Sequence, residues 1–350
     1  MADESGIVTV NGGITVENLD AGKHVALISL TAAGQSPGTK EGLIVRNNLG
    51  AVRALTCIFS GWDEYPRGAP GVALVNNTQV AFTGCVLRGG RGVGLNYYTP
   101  NYFSGAGGHG VSSEQTAVAI YNCVVEGSDA SPGFAGGVNG GNGLQLISGV
   151  NFASGTSFVG GEDSQCVFII SPGLGGHGVG LESNSAAVHL LDADFVPGLG
   201  GSCTTGTAPS GVDIFGTGQT VDYQGTARGT AVPSPMRDGQ VMPLTFTGEP
   251  GDLIFLLISD SLFYFFAQSL RGVQLANTGL VKVQGFIGAS GSKTKNIPLN
   301  VLAPGMASFE AHLQSIFLDA SSEFIWGAST HLIVSIRVCS RIKSTITKAG

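Results

Sequence analysis

The sequence predicts an all-β protein: a right-handed parallel β-helix of about seven coils, followed by a small antiparallel β-sandwich. Three observations carry this. Glycine supplies 56 of the 350 residues, about twice the usual share, and charged residues are 12%, roughly half of it. Short Val/Ile/Leu-rich segments alternate with the period of two that strands have. A glycine followed by alternating apolar residues also returns every 29–39 residues, as Gly42-Leu-Ile-Val, Gly71-Val-Ala-Leu, Gly110-Val-Ser-Ser, Gly143-Leu-Gln-Leu, Gly178-Val-Gly-Leu and Gly211-Val-Asp-Ile.

Each repeat has room for three short strands. The first opens at the glycine. The second is expected to place Val52, Val80, Val118, Val150, Val188 and Val221 in one inward column, with Ala54, Phe82, Ile120, Phe152, Leu190 and Tyr223 in the next. The third adds Cys57, Cys85, Cys123, Thr156 and Ala193, then Phe59, Leu87, Val125, Phe158 and Phe195. One such unit cannot bury its inward side chains alone. Stacked copies hydrogen-bond to the coils above and below at ~4.8 Å and share a dry interior. Glycine is expected at corners, where positive φ or close backbone approach is required. A propeller is the rival, but its blades need about 40 residues and four strands.

The repeat covers 6–228 and then fails. "GTARGTAVPSPMRDG" reads as a Pro/Gly/Thr-rich connector, which sets a linker at 229–240. Segments such as "DLIFLLIS", "FEAHLQSIFLD" and "HLIVSIRV" within 241–338 suggest the sandwich, placed to cap the open end of the helix. The basic stretch 339–350 lacks the pattern and is expected to be disordered.

Composition narrows function. The net charge is −7 and the body of the chain has no basic cluster, which argues against nucleic-acid binding. No apolar run is long enough for a membrane span, and "MADESGIVTV" has neither the basic nor the apolar region of a secretion signal. Cys57, Cys85 and Cys123 read as a buried thiol ladder, while Cys166 and Cys203 are near enough in the repeat to pair under oxidising conditions. No CxxC or Cys/His zinc spacing occurs, and no motif indicates a cofactor.

Coil length varies between the third strand and the next corner glycine, in Trp62–Pro70, Gly90–His109, Ser128–Asn142 and Gly161–His177. Insertions leaving one corner of successive coils emerge on one side of the tube, the usual place for function on a rigid scaffold. They carry Trp62, Tyr65, Tyr97, Tyr98, Tyr102, Phe103 and Phe134 with Asp63, Glu64, Glu162 and Asp163. Aromatics beside carboxylates suit the flat faces and hydroxyls of a polysaccharide. The fragments "AGGHGV" and "LGGHGV" put His109 and His177 in one slot before the corner glycine, with Asn142 on the rung between them. The imidazoles should then stand ~10 Å apart, too far to share a metal bound at ~2 Å. Corner position accounts for both, and a ligand-binding polar ladder His109–Asn142–His177 is the alternative. For catalysis, His189, Asp192 and Asp194 form the compact His/Asp group, with a solvated strand face as the bland reading. Ile58, Val86 and Val124 make an outward apolar stripe that calls for a cover, through self-association or another part of the chain.

Polygalacturonase-type enzymes resemble this chain in Gly108-His109-Gly110 and in Arg341-Ile-Lys343, but their aspartate motifs are missing, and a glycosidase needs two carboxylates at set separation. The combination of "ITVENLDAGKHVALISL", "GLIVRNN…AVRALTC", "GVALVNNTQVAFTGC" and "GEPGDLIFLLIS…FLDASSEF" resembles uncharacterised, planctomycete-like bacterial β-helix repeat proteins, mostly secreted. That resemblance implies the fold and a secreted or cell-surface location. It brings no catalytic residues. The function expected is glycan binding through the aromatic loop face. The alternatives are a hydrolase or lyase on the same scaffold, carbohydrate-active or metal-assisted, and an assembly protein.

Overall fold

A computed structural model describes residues 8–36, 38–64, 66–93, 105–131, 138–163, 172–203, 206–266, 270–277 and 279–335. Among them every regular element is a strand. Residues 8–223 wind into three parallel sheets of seven strands. The first face stacks Ile14–Glu17, Leu43–Arg46, Val72–Val75, Val111–Glu114, Leu144–Leu146, Val179–Leu181 and Ile214–Gly216. The second stacks His24–Ile28, Ala51–Leu55, Gln79–Thr83, Val118–Tyr121, Gly149–Ser154, Ala186–Leu191 and Gln219–Tyr223. The third stacks Val8–Asn11, Leu30–Ala33, Ile58–Ser60, Val86–Arg88, Val124–Glu126, Ser157–Val159 and Asp194–Val196. This is a parallel β-solenoid, with one side chain of each rung lying over its equivalent in the next.

The interior follows from that register. Leu43, Val72, Val111, Leu144 and Val179 form one fully buried column, and Phe59, Leu87, Val125 and Phe158 another. Cys57, Cys85 and Cys123 are free, buried thiols. Cys85 Sγ accepts from Cys57 N at 3.5 Å and Cys123 Sγ from Cys85 N at 3.3 Å, and Thr156 Oγ1 does the same for Cys123 N at 3.4 Å. The column therefore needs a small side chain that accepts a backbone N–H, which thiol and hydroxyl both supply.

At the corner between the first two faces, Asn48 Nδ2 donates to Asn77 Oδ1 at 2.9 Å, and Thr116 Oγ1 accepts from Asn77 N at 3.2 Å. The preceding residues Asn18, Asn47, Asn76 and Gln115 take left-handed φ of 47–57°. The repeat glycines 42, 71, 110, 143 and 178 do not. Of the two reasons expected for corner glycines, only close approach applies. A Cβ on Gly42 would lie 2.5 Å from Ser60 N and 2.9 Å from Gly71 O.

Three register expectations are corrected. In the fifth coil Val118 pairs with Asn151 and Ile120 with Ala153, so Val150 and Phe152 face outward and Asn151 lies inside the tube. The seventh strand slips likewise: Val188 pairs with Thr220 and Leu190 with Asp222, putting Val221 and Tyr223 on the outer side. Gly178 stands beside Asp213, not Gly211, since Val179 pairs with Ile214.

The slip in the fifth coil follows from the C-terminal region, which covers Phe152 from outside. Its main sheet has the order Leu280–Phe286, Leu253–Ser259, Ser308–Leu318, Phe324–Ser335, Gly229–Ala231, Val241–Thr247 and Ser292–Pro298, with Met236–Arg237 also on Phe324–Ser335. The expected linker thus contributes two strands. The edge strands Leu280–Phe286 and Ser292–Pro298 are consecutive in sequence, and Lys295 Nζ reaches Gln284 Oε1 at 3.0 Å, so the sheet curls until its edges meet. It lies along the outer side of the second face and does not cap the tube's end. Tyr121 Oη accepts from Val273 N at 3.0 Å and donates to Val273 O at 3.3 Å. Phe266 packs between Phe152 and His189, 6.2 and 4.5 Å away. Arg53, fully inside, donates to Leu275 O and to Ser329 Oγ, and burial brings its pKa down to about 9. Ala81, Ala119, Tyr121, Phe152 and Leu191 join one apolar cluster with Leu244, Phe246 and Leu256. Strands covered on both sides lose the alternation that fixes register.

Candidate functional site

The insertions leave the tube through stems that explain the glycine content. An unbroken chain of backbone hydrogen bonds runs along the tube: Gly90 N to Ala69 O, Gly108 N to Gly90 O, Ser128 N to Gly108 O, Gly141 N to Ser128 O, Gly161 N to Gly141 O, Gly176 N to Gly161 O, Gly198 N to Gly176 O and Gly211 N to Gly198 O, all 2.7–2.9 Å. Outgoing and returning stems alternate in this lattice, so each coil contributes twice. A Cβ on Gly141 would meet Gly108 O at 1.9 Å and one on Gly161 would meet Ser128 O at 2.0 Å. No other residue type fits.

The returning stems deliver His109, Asn142 and His177 to successive rungs, and their side chains act as pegs. His109 Nδ1 accepts from Asn142 N at 3.0 Å, Asn142 Oδ1 from His177 N at 2.9 Å, and His177 Nδ1 from Val212 N at 3.1 Å. Because Nδ1 is an acceptor in both histidines, the neutral rings carry their proton on Nε2. Burial, with Arg67 adding to it, brings His109 down to about 4, and burial lowers His177 as well. Both are neutral at pH 7, each offering an Nε2–H. A metal needs a bare ring nitrogen, so this tautomer disfavours a cation here.

Beside the pegs lies a cleft of about 880 Å³, lined by Arg67, His109, Asn139, Asn142, Gln145, Leu174, His177, Glu182, Phe215 and neighbours. It exists because the outward column of the first face reads Gln145, Gly180, Phe215. Gly180 leaves a hollow between two large side chains. Asn142 Nδ2 donates to Gln145 Oε1 across it, and a Cβ on Gly180 would lie 2.5 Å from that nitrogen. Phe215 stacks on His177 with centroids 4.4 Å apart and planes 9° from parallel, leaving its other face open, 59% exposed. The cleft thus presents one flat aromatic, fixed N–H donors, amides, a cation at Arg67 and a carboxylate at Glu182.

Of the residues expected from sequence, His109, Asn142 and His177 meet here, and corner position and ladder prove to be the same thing. Tyr65, Tyr97, Tyr98, Tyr102, Phe103 and Phe134 lie outside the described residues. Trp62, Asp63 and Glu64 are elsewhere: Asp63 Oδ1 accepts from Arg91 N at 2.6 Å, and Glu64 pairs with Lys40. Asp163 packs by Gly173, off the cleft lining. The His189 group is dispersed. His189 is buried under the curled sheet, stacked on Tyr223 and against Phe266. Asp192 turns the corner at φ 55° and accepts from Ala227 N at 2.8 Å. Asp194 is exposed on the third face. No common point is within reach of all three. Ile58, Val86 and Val124 do line up, each half-buried. Arg67, Gln145, Glu182 and Phe215 were not anticipated; the repeats aligned on glycine show Gln145 followed by Gly180, but place Asp213 next, and Phe215 joins the column only in the observed register.

These features define a β-solenoid with a lateral cleft. No family model and no curated protein matches the chain. Among solved structures, the superoxide reductase (neelaredoxin) from Ignicoccus hospitalis aligns at 9% identity over 31% of this chain and 80% of its own, with a TM-score of 0.18, a likeness too slight to carry any inference.

Proposed function

We propose that the protein is a secreted or cell-surface module that binds glycan in the cleft between Arg67 and Phe215. The observation that carries the reading is the open face of Phe215 beside a row of neutral donors and acceptors fixed by the backbone from His109 to Gln145. A sugar ring has an apolar face for the aromatic and hydroxyls for the amides and Nε2–H groups. Because every peg is held by the next coil, little ordering entropy is lost on binding. The insertions carrying Tyr97, Tyr98 and Tyr102 leave from stems of the same lattice. Hydrolysis fits less well. Among the described residues lining the cleft Glu182 is the sole carboxylate, and a glycosidase needs two.

Affinity electrophoresis through neutral and acidic polysaccharides tests this. At least one polysaccharide is expected to retard the protein. Phe215→Ala and Asn142→Ala should each weaken retardation roughly tenfold, about 1.4 kcal/mol, while Trp62→Ala should not. Unretarded migration of the unaltered protein through the whole panel would end the proposal.

A further inference from the structure

The junction between tube and curled sheet gathers three histidines around one carboxylate. His24 opens the first strand of the second face. Glu310 and His312 are alternate residues on Ser308–Leu318, and His331 stands directly across from His312 on the next strand. His24 Nε2 and His312 Nε2 lie 3.3 and 3.6 Å from Glu310 Oε1, and one ligand atom from each of these three residues falls within 4.8 Å of the others. Four ligands at 2.0–2.1 Å around a tetrahedral ion are separated by about 3.4 Å, so both spacings match the edges of a coordination shell. His331 is different. Its Nε2 donates to Glu310 Oε1 at 2.6 Å, a charge-assisted hydrogen bond that orients the carboxylate from behind.

A second, independent observation points to a missing partner. His312 is 0% exposed, yet neither of its ring nitrogens has a hydrogen-bond partner. Burying an imidazole with neither nitrogen bonded is unfavourable, and aiming one of its nitrogens at a carboxylate 3.6 Å away recovers little of that cost. The positive charge of Arg53 reaches His312, repels a cation at this point and sets a limit on affinity.

We propose that His24, Glu310 and His312 bind one divalent transition-metal ion of the zinc class, with His331 holding Glu310 in place. Two imidazoles and a carboxylate select such an ion over calcium or magnesium, which prefer all-oxygen shells. His24 and Glu310 are partly exposed, with side chains 33% and 43% accessible, and His24 also borders a cavity of about 310 Å³ shared with Asp260 and Asn277. The ion keeps a coordination position open to solvent and ties residue 24 to residues 310–312 across the two parts of the chain.

Metal-stripped full-length protein titrated with zinc against a chromophoric chelator, and with cobalt by visible absorption, tests the assignment. One equivalent is expected to bind with Kd below about 10 µM, and cobalt should show the absorption of a four- or five-coordinate nitrogen/oxygen site. His24→Asn and Glu310→Gln alter partly exposed groups and keep the fold. Each should weaken binding at least 100-fold, and His331→Asn about tenfold, while His177→Asn changes nothing. Zinc should also raise the melting temperature of the unaltered protein and not of Glu310→Gln. No binding, full binding in Glu310→Gln, or equal binding of magnesium overturns the proposal.

Discussion

At the scale of single residues, glycine and histidine do the opposite of what their reputations suggest. Most repeat glycines occupy ordinary backbone conformations and are required because another backbone occupies the space of their Cβ. Gly161→Ala is therefore expected to cost more than about 3 kcal/mol in urea unfolding, since the obstruction is a carbonyl in a stacked lattice that cannot move alone. Gly288, with nothing within 4 Å of its Cβ position, is the control, and Gly288→Ala should stay within about 0.5 kcal/mol. His109 and His177 are acceptors locked neutral. A folded pKa below the unfolded value of about 6.5 means that the unfolded chain takes up protons first. Stability is intact above that pH and falls as pH drops towards about 4, the folded value of His109. For His109 alone the loss approaches about 3 kcal/mol over that window, and His177, His189 and His331 shift in the same direction. The melting temperature should decline steadily from pH 7 to 5, and His109→Gln, which keeps an acceptor, should flatten the decline. A flat profile in the unaltered protein would contradict the buried tautomers.

At the scale of elements, what the sequence made legible depended on whether a strand has one wet side. On the third face the columns Cys57–Cys85–Cys123–Thr156 and Phe59–Leu87–Val125–Phe158 were readable residue by residue, because the polar Ser60, Arg88 and Glu126 face outward directly after Phe59, Leu87 and Val125. On the second face the reading slipped by one at Val150 and at Val221. In the fifth coil the outward Phe152 is buried under the C-terminal sheet while the inward Asn151 is polar, so hydrophobicity points to the wrong register. The stem lattice was seen only as an excess of glycine, since its partners come from three different coils. The slip exposes a weakness in the tube. Asn151 sits between Val118 and Val188, fully buried, with neither amide atom bonded. Asn151→Val removes that desolvation cost and should stabilise the protein by about 1–2 kcal/mol, measured as a rise in the urea midpoint at constant slope. The contact with the Cys85 thiol, and then burial, raise the thiol pKa of Cys57, and burial raises that of Cys85, so both should resist iodoacetamide in the native state and react only on unfolding, with accessibility the controlling factor.

At the scale of the whole molecule, the two parts share a core, and this decides how the chain unfolds. A sandwich capping the tube would touch it through one rung. The curled sheet instead covers the second face from Arg53 to Tyr223, so separating the parts would expose Tyr121, Phe152 and Leu191, strip Val273 of both its hydrogen bonds with Tyr121 and leave the Arg53 guanidinium without Leu275 O and Ser329 Oγ. The cost of that exposure exceeds anything a free tube gains in chain entropy, and the two parts are expected to unfold in one transition. The chain's two tryptophans make this measurable, because Trp62 reports on the tube and Trp326, buried beside Leu257 and Ala276, on the sheet. With Trp326→Phe only the tube fluoresces, and with Trp62→Phe only the sheet does. Each variant's fluorescence midpoint in guanidinium should coincide with the midpoint of its own circular dichroism, which follows both parts. Tyr121→Phe leaves Val273 N buried without its acceptor, about 1–3 kcal/mol, and should lower both signals together. If instead the Trp326 signal is lost while the tube's signal persists, the sheet is an independent domain resting on the solenoid, and the two-sided burial that explains the register slip in the fifth coil loses its energetic basis.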